Sequence, residues 1–471
     1  MDAAELCFTP ATELIGMIRS RKISPVELTQ VVLDRIQAID PKIRAYITVI
    51  PELALQTARE REKELMGKDP LGPLHGIPIS IKDLTPTRGI RTTWGCRHYK
   101  DFVPEEDALV VQRIKKAGAI LLGKTNTPEF GIGINATNGI LGTTLNPWDR
   151  SKTAGGSSGG AAAALAAGLG PLAEGTDMAG SIRLPASYCG IVGLRPSPGV
   201  IPRYPNYWAW DTMAVHGPMA RTTSDLALLL SVMAGPDERD PIAPPLLGPS
   251  FPEEIHRDLR GMRMAWTPDL KGLCRIEPEV ARICQEAARK FEEIGCRVEE
   301  DSPDLGLVRA IIPPLRAFWT AAARAQLLEI EDEVDNSFLK DYLHKAHRVT
   351  AMEVALAERA RTRLWLSMGD FFQRYDFLLT PTTSTPAFAA DRLFPAQIDG
   401  RPVEDRIDSY LHTYALSFMG LPAISVPAGW TQAGLPVGLQ IIGRKWAEGM
   451  VIRAAANLER IAPWAHRRPP E

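Results

Sequence analysis

The chain has 471 residues, of which 45% are hydrophobic and 23% are charged, which is typical of a globular protein. Its formal net charge of −2 gives no bulk electrostatic attraction to nucleic acid or to an anionic membrane surface. The chain is longer than a usual single domain, so length alone allows two or three domains.

The cysteine pattern and the first residues point to a reducing compartment. No two of the six cysteines form a CxxC motif, and free thiols are the simplest account of them. The acidic start of the chain lacks the basic head of a secretion signal. The longest run of small apolar residues, 161–167, is too short to span a bilayer. We therefore expect a cytoplasmic protein without membrane contact.

The first third of the chain begins with helices and then changes to a strand pattern. Ser24, Pro25 and Glu27 form a capping box with proline at the first helical position, and apolar residues follow at helical spacing. Residues 77–82 alternate as a strand does. A helical pattern over 110–117 then leads into a short apolar run at 119–122.

The remainder of the chain interleaves helical and apolar segments. Residues 131–199 are rich in Gly, Ser, Thr and Asn, and the alanine-rich stretch 160–168 within them predicts a helix. Interleaved strands and helices favour the α/β class. The Pro-rich stretch 241–252 is either a domain boundary or, the interpretation we favour, a surface loop. Further predicted segments are a helix from about 221, a largely helical region over 253–374, apolar runs at 377–379, 423–426 and 437–442, and a last helix over 447–458.

One motif suggests nucleotide binding. Residues 118–125 fit the P-loop expression G-x-x-x-x-G-K-[ST], with Lys124 as its lysine. A phosphate-binding loop needs inward-turned amides and a following helix, whereas residues 119–122 are apolar and Pro128 arrives within four residues of Lys124. A buried strand that ends in a turn is the favoured alternative.

A second motif suggests a histidine-dependent serine hydrolase. Residues 155–159 fit the nucleophile elbow G-x-S-x-G, with either Ser157 or Ser158 at its centre. An elbow needs a preceding strand, but residues 146–154 are polar and turn-like, and no downstream histidine has a convincing local context. The histidines considered are His216, His256, His344, His347 and His412.

A third, composite pattern is the most specific, and through it the chain resembles the amidase signature family. The match runs from about residue 10 to 468, with its motifs in the family's order. The motifs are residues 76–83, 123–131, 146–149, 155–160, 175–183, 189–196, 420–427 and 434–442.

The resemblance implies both a fold and a reaction. The expected fold is one large α/β/α sandwich over residues 1–471, with a central mixed twisted sheet, a signature core at about 70–200 and a helical cap-like region at about 253–374. The expected reaction is hydrolysis of an amide, anilide or carbamate through an acyl-enzyme, without metal or cofactor. Within the family the alternative is the amidase subunit of glutamyl-tRNA amidotransferase, and outside it a non-catalytic or nucleotide-binding protein.

By the same resemblance, Ser181 is the nucleophile, Ser157 the bridging serine and Lys82 the base, and the Gly156–Ser157 peptide bond is cis. A lysine acts as a base only when it is neutral, and burial without nearby anions lowers its pKa. Lys82 ends an apolar strand, and Asp83 should point to the opposite face.

The residues before the nucleophile are expected to form the oxyanion hole. Backbone amides of Met178, Ala179, Gly180 and Ser181 would face the substrate carbonyl. Ala179 stands where the family often has glycine, so its methyl group is either tolerated or narrows the pocket. The supporting residues are Ser158, Asp177 and Arg183. Asp177 and Arg183 fit a role in bracing this loop and a purely structural ion pair equally well.

Aromatic residues after the nucleophile loop suggest a pocket for an aryl or apolar group. The expected substrate is a small-molecule amide, ester or carbamate with such a group, and the aromatic pocket favours anilides, aryl amides or urethanes. The oligomeric state is expected to be monomer or homodimer. The predicted pocket residues are Arg203, Tyr207, Trp208 and Trp210, with Phe318, Trp319 and Trp365 as the opposite wall.

Overall fold

The computed structural model describes residues 2–245 and 250–470. Four short 3-10 helices accompany its α-helices. The α-helices are α1 (Ala3–Phe8), α2 (Ala11–Arg19), α3 (Pro25–Ile43), α4 (Pro51–Leu65), α5 (Leu109–Lys116), α6 (Gly159–Ala166), α7 (Arg183–Cys189), α8 (Thr223–Met233), α9 (Phe251–Glu254), α10 (Pro278–Glu293), α11 (Val308–Arg324), α12 (Ser337–Ala346), α13 (Ala351–Arg374), α14 (Leu411–Ser417) and α15 (Glu448–Ile461).

The strands come from both halves of the chain. They are β1 (Tyr46–Val49), β2 (Pro78–Lys82), β3 (Ile120–Thr125), β4 (Thr137–Asn138), β5 (Gly142–Thr143), β6 (Leu145–Asn146), β7 (Asp149–Thr153), β8 (Leu172–Asp177), β9 (Val192–Arg195), β10 (Val215–Ala220), β11 (Arg263–Trp266), β12 (Arg297–Glu300), β13 (Phe377–Pro381), β14 (Gln397–Ile398), β15 (Arg401–Pro402), β16 (Ala423–Trp430) and β17 (Pro436–Ile442).

Eleven strands form one mixed sheet in the order β1-β3-β2-β8-β10-β9-β16-β17-β13-β11-β12. β2 runs parallel to both β3 and β8, whereas β10 pairs antiparallel with β8 and β9. Helices pack against this sheet, as α7 and α10 do against β16 and β17. The predicted α/β class with a central mixed sheet is therefore confirmed.

The early elements form where their local sequence predicts them. Ser24 caps α3 through a complete capping box with Glu27. β2 is buried along its whole length, because β3 and β8 flank it within the sheet. Lys124, in the P-loop-like segment, lies on buried strand β3, and its ammonium group donates to the hydroxyl groups of Thr87 and Thr92. This segment is therefore a strand, as favoured over a phosphate loop.

Helix α6 lies in the centre of the molecule, and all eight of its residues are buried. It packs against β2, β3, β8 and β10, which its small side chains allow. A Cβ on Gly160 would meet the Ala45 carbonyl oxygen and the Asn126 amide nitrogen at 2.4 Å each, so only glycine permits this approach. The helix begins directly after Ser157 and Ser158 and thereby anchors both.

The region 253–374 is largely helical, as predicted, and it also contributes β11 and β12 to the sheet edge. Two expectations from sequence are corrected. The N-terminal region includes β1, and the Gly-rich region includes β8 and β9, none of which we predicted. The polar residues before the Gly-Gly-Ser run form strand β7 instead of a turn.

Two other expectations remain predictions. The Pro-rich stretch 241–252 includes residues 246–249, which lie outside the described residues. The single-domain organisation of residues 1–471 also stays a prediction. Among the helices that the structure describes, none has the length and apolar character needed to cross a membrane.

Candidate active site

Lys82 lies at the end of β2 with no exposed surface, and its amine is surrounded by hydroxyl groups. Its Nζ atom lies 2.7 Å from Ser157 Oγ, 2.8 Å from Ser158 Oγ and 2.9 Å from Thr176 Oγ1. Asp83 points away as predicted, and its carboxylate accepts the Thr93 amide at 3.0 Å. The amine therefore has hydroxyl partners and no directly bonded carboxylate.

Burial lowers the pKa of Lys82 from 10.5 to about 7, although the negative charges of Glu174 and Asp177 act in the opposite direction. Both carboxylates oppose the shift, but desolvation outweighs them. A substantial fraction of this lysine is uncharged at neutral pH. A neutral amine can accept the hydroxyl proton of Ser157, which is the property required of a general base.

The two serine segments are joined at the backbone. The Gly156–Ser157 peptide bond is cis, as the resemblance implied. The amide of Ser158 donates to the carbonyl oxygen of Ser181 at 2.9 Å, which fixes the nucleophile loop beside the Gly-Gly-Ser run. Ser181 is half-buried and lines the same cavity as Ser157. The structure therefore brings together Lys82, Ser157 and Ser181.

Asp177 and Arg183 form a fully buried, bidentate ion pair beside the nucleophile loop. Arg183 Nε lies 3.0 Å from Asp177 Oδ2, and Nη2 lies 2.9 Å from Oδ1. Arg195, which we did not predict, donates to the Asp177 carbonyl oxygen at 2.8 Å. Burial alone would raise the pKa of Asp177, but the Arg183 guanidinium holds it well below its usual range. The carboxylate is therefore ionised and rigidly held.

The predicted oxyanion loop has amides in two different environments. The Gly180 amide donates to Asp177 Oδ1 at 2.9 Å and is committed to the loop itself, contrary to its predicted role. Within the described residues the amides of Met178, Ala179 and Ser181 have no acceptor. Thr413 on α14 donates to the Ala179 carbonyl oxygen at 2.7 Å and supports the loop from the far side. The backbone amides that remain free to bind a substrate oxygen are thus those of Met178, Ala179 and Ser181, which flank Gly180.

A cavity of about 830 Å³ opens above Ser157 and Ser181. Of the predicted pocket residues, Arg203 and Tyr207 line it, and Tyr207 is 90% exposed at the mouth. Trp208 and Trp210 do not line it. Trp208 packs edge-on against Phe318, with ring centroids 5.5 Å apart, and Trp210 is largely exposed.

The predicted opposite wall is also corrected. Trp319 is buried against Phe418, and Phe318 and Trp365 lie outside the cavity, partly exposed. The wall is nevertheless aromatic, because other segments supply its rings. These rings belong to Trp94, Tyr99, Phe102, Phe130, Phe338, Tyr342, Tyr410 and Tyr414.

Sequence reasoning missed the residues that surround Lys82 on β8 and β10. The buried Glu174 carboxylate accepts the Lys82 backbone amide at 3.1 Å and contacts His216 Nδ1 at 2.7 Å. Thr176 presents its hydroxyl group to the lysine amine. Glu174 and Thr176 lie two residues apart on β8 and therefore share a face, which was the available signal, but the strand was not recognised.

The rival hydrolase pattern finds no support in these contacts. Ser157 bonds to Lys82, and no histidine of the described residues bonds to it. His412 is buried and bonds to the Pro268 carbonyl oxygen at 2.9 Å. In the part of the chain that the structure describes, no group of three or more His, Cys, Asp or Glu side chains is arranged to hold a metal ion.

Comparison with known proteins places this chain in a family. The sequence profile of the amidase family matches residues 27–452. An acylamidase from Rhodococcus erythropolis is 39% identical over 478 residues, covering 100% of this chain and 98% of that protein. A glutamyl-tRNA(Gln) amidotransferase subunit from Carboxydothermus hydrogenoformans is 36% identical, covering 99% of both. A crystal structure of a bacterial aryl acylamidase has a TM-score of 0.90 and 30% identity, with 97% of each chain covered.

The chain belongs to the amidase signature family. The predicted class of reaction, hydrolysis of an amide C–N bond, is confirmed by these similarities, and the amidotransferase subunit has the lower identity of the two curated relatives. The same similarities support small-molecule amides as substrates.

Proposed function

We propose that this protein hydrolyses aryl amides of small carboxylic acids, with Ser181 as the nucleophile and Lys82 as the base. The observation that carries the proposal is the hydrogen bond of 2.7 Å between the buried Lys82 amine and Ser157 Oγ. A lysine whose pKa is about 7 can receive a proton without the help of a histidine.

The first half of the reaction moves a proton from Ser181 through Ser157 to Lys82. Ser181 Oγ attacks the amide carbonyl carbon and loses its proton to Ser157 Oγ, whose own proton passes to the amine of Lys82. The carbonyl π electrons move to oxygen, which gives a tetrahedral oxyanion. When the C–N bond breaks, the relay returns the proton to the departing nitrogen, because an amine anion is a very poor leaving group. The acyl group remains as an ester on Ser181.

The second half of the reaction uses water. Lys82, neutral again, takes a proton from water through Ser157 while the water oxygen attacks the ester carbon. Collapse of the second tetrahedral oxyanion returns the proton to Ser181 and releases the carboxylic acid. The free amides of Ala179 and Ser181, with that of Met178, are the proposed donors to both oxyanions.

The substrate proposal is based on the cavity walls. Aromatic rings on several segments make the cavity suitable for an aryl group, with centroid distances such as 5.0 Å between Trp94 and Phe102. Similarity to an acylamidase and to an aryl acylamidase supports anilides in particular. Aryl carbamates place the same bond and ring in this cavity, so we include urethanes. We also propose that the enzyme acts as a monomer or homodimer, in the cytoplasm.

The test combines labelling with a substrate screen. A fluorophosphonate should label the wild type, and Ser181→Ala should remove both labelling and anilide hydrolysis. The matched control is Ser231→Ala, whose hydroxyl group bonds only to Leu228 of its own helix on the exposed surface. Labelling that survives in Ser181→Ala would contradict the assigned nucleophile. Glutaminase activity without anilide hydrolysis would favour the amidotransferase alternative.

A further inference from the structure

One wall of the cavity carries guanidinium groups that form no direct ion pair within the described residues. Arg316, Arg324 and Arg406 all line the cavity, and within the described residues none of them takes part in an ion pair. Arg203, in the same cavity, is by contrast paired with Asp211 at 2.6 Å. The unpaired guanidinium groups therefore form a distinct feature of this wall.

Arg316 is the most buried of these groups, with 8% of its surface exposed. Its Nη1 contacts the sulfur of Met178, which is only a weak acceptor, and its guanidinium lies 4.8 Å from the centre of the Tyr342 ring. Its Nε is buried and has no acceptor in the described structure. Burying a charged group whose N–H donors lack acceptors costs free energy. Binding of a ligand that supplies an acceptor would therefore be strongly favoured.

Tyr414 presents a second unfilled donor at the same wall. Its hydroxyl oxygen faces the Arg316 guanidinium, but its buried hydroxyl proton has no acceptor among the described residues. Burial raises the pKa of Tyr414 to about 12, so the phenol remains protonated at neutral pH. Since a guanidinium group can only donate, neighbouring Arg316 offers no acceptor for the Tyr414 proton.

Arg324 adds a second positive charge near that of Arg316. Burial and then the charge of Arg316 lower the pKa of Arg324 to about 10, against the opposing charge of Asp211. Its Nη2 donates to the Phe130 carbonyl oxygen at 3.0 Å, and the residue lines the cavity. Two guanidinium groups and a phenol thus line the same cavity, and none of the three is directly bonded to a carboxylate of the described residues.

We propose that this wall is a carboxylate-binding subsite, so that preferred substrates carry a carboxylate away from the amide that is cleaved. The proposal rests on the proposed function, and it adds an anionic group to the aryl amide. A carboxylate oxygen is the acceptor that Arg316 Nε and the Tyr414 hydroxyl group lack, and guanidinium–carboxylate hydrogen bonds are among the strongest in proteins.

The kinetic test compares two substrates that differ only in charge. Succinyl-p-nitroanilide carries a free carboxylate, and its methyl ester is the neutral counterpart. We expect kcat/KM of the wild type to be at least about tenfold higher for the acid, the ratio that one charged hydrogen bond supports. Arg316→Gln should reduce this ratio at least about tenfold, and Arg316→Lys should restore part of it. Tyr414→Phe should reduce it less.

The control variant is Arg359→Gln, which removes an exposed arginine outside the cavity and should leave the ratio unchanged. A wild type without preference for the acid, or a ratio that Arg316→Gln leaves unchanged, would overturn the subsite.

Binding to Ser181→Ala, measured by calorimetry, separates this proposal from the catalytic one. Tighter binding of the acid than of its ester by Ser181→Ala supports the subsite even if neither compound is hydrolysed by the wild type. Equal binding of both refutes the subsite, even if both compounds are hydrolysed.

Discussion

Replacement of Lys82 by methionine should abolish activity and at the same time stabilise the folded protein, more so at low pH. The pKa of Lys82 falls from 10.5 to about 7 on folding. At about 1.36 kcal/mol per pKa unit, that shift corresponds to a folding penalty of about 5 kcal/mol when the unfolded lysine is charged. Methionine has a similar volume and no charge, so Lys82→Met removes the penalty.

The pH dependence follows from the direction of the shift. The folded pKa lies below the unfolded one, so between about pH 7 and 10.5 the unfolded chain binds the additional proton. Wild-type stability therefore rises with pH across this window, and the penalty is fully present below it. The advantage of Lys82→Met should be about 3 kcal/mol larger at pH 6 than at pH 9.

Urea unfolding of both proteins at pH 6 and pH 9 measures this quantity. Hydrogen bonds lost from Ser157, Ser158 and Thr176 affect Lys82→Met similarly at the two pH values, so they cancel in the difference. The exposed Lys22→Met is the control, and its effect should not change with pH. An equal effect of Lys82→Met at both pH values would mean that Lys82 is charged in the folded protein, which would refute the proton relay.

Four further predictions concern the same site. In the wild type, kcat/KM for an anilide should rise about tenfold per pH unit below pH 7 and level off above it, because Lys82 must lose its proton; a flat profile would contradict a lysine base. Glu174→Gln removes an anion that raises the pKa of Lys82, so the rising limb of that profile should move to lower pH. Gly180→Ala places a Cβ 2.2 Å from Thr413 Oγ1 at a φ of +124°, and both the melting temperature and kcat should fall. Arg183→Met breaks a buried ion pair and should lower the free energy of unfolding by about 3–5 kcal/mol; a loss below about 1 kcal/mol would show that Arg195 compensates fully.

The sequence by itself determined the features that depend on local pattern. The capping box at Ser24, the strand that ends at Lys82 and the alanine-rich helix after Ser158 all appear where periodicity and small residues predict them. Ordered motifs spread over most of the chain also determined the family and the class of reaction. The local elements were predictable because neighbouring residues specify each of them, and the family was predictable because each motif is short and the motifs follow one another in a fixed order.

Only the tertiary structure decided how distant residues meet. Strand β8 has too little hydrophobic alternation to be predicted, because its Glu174 and Asp177 are buried by long-range partners and not by local apolar pattern. The prediction of which aromatic residues line the pocket was wrong for a similar reason. Trp208 and Trp319 are aromatic in sequence, yet their packing against other rings removes them from the cavity.

The tertiary structure also decided the charge state of the site. Lys82 and Lys124 both follow apolar residues on adjacent strands, and this local pattern alone does not distinguish a base from a structural lysine. The fold surrounds Lys82 with Ser157 and Ser158, and it surrounds Lys124 with threonines. Desolvation depends on every atom that excludes water, and it is therefore a property of the packed molecule and not of any segment.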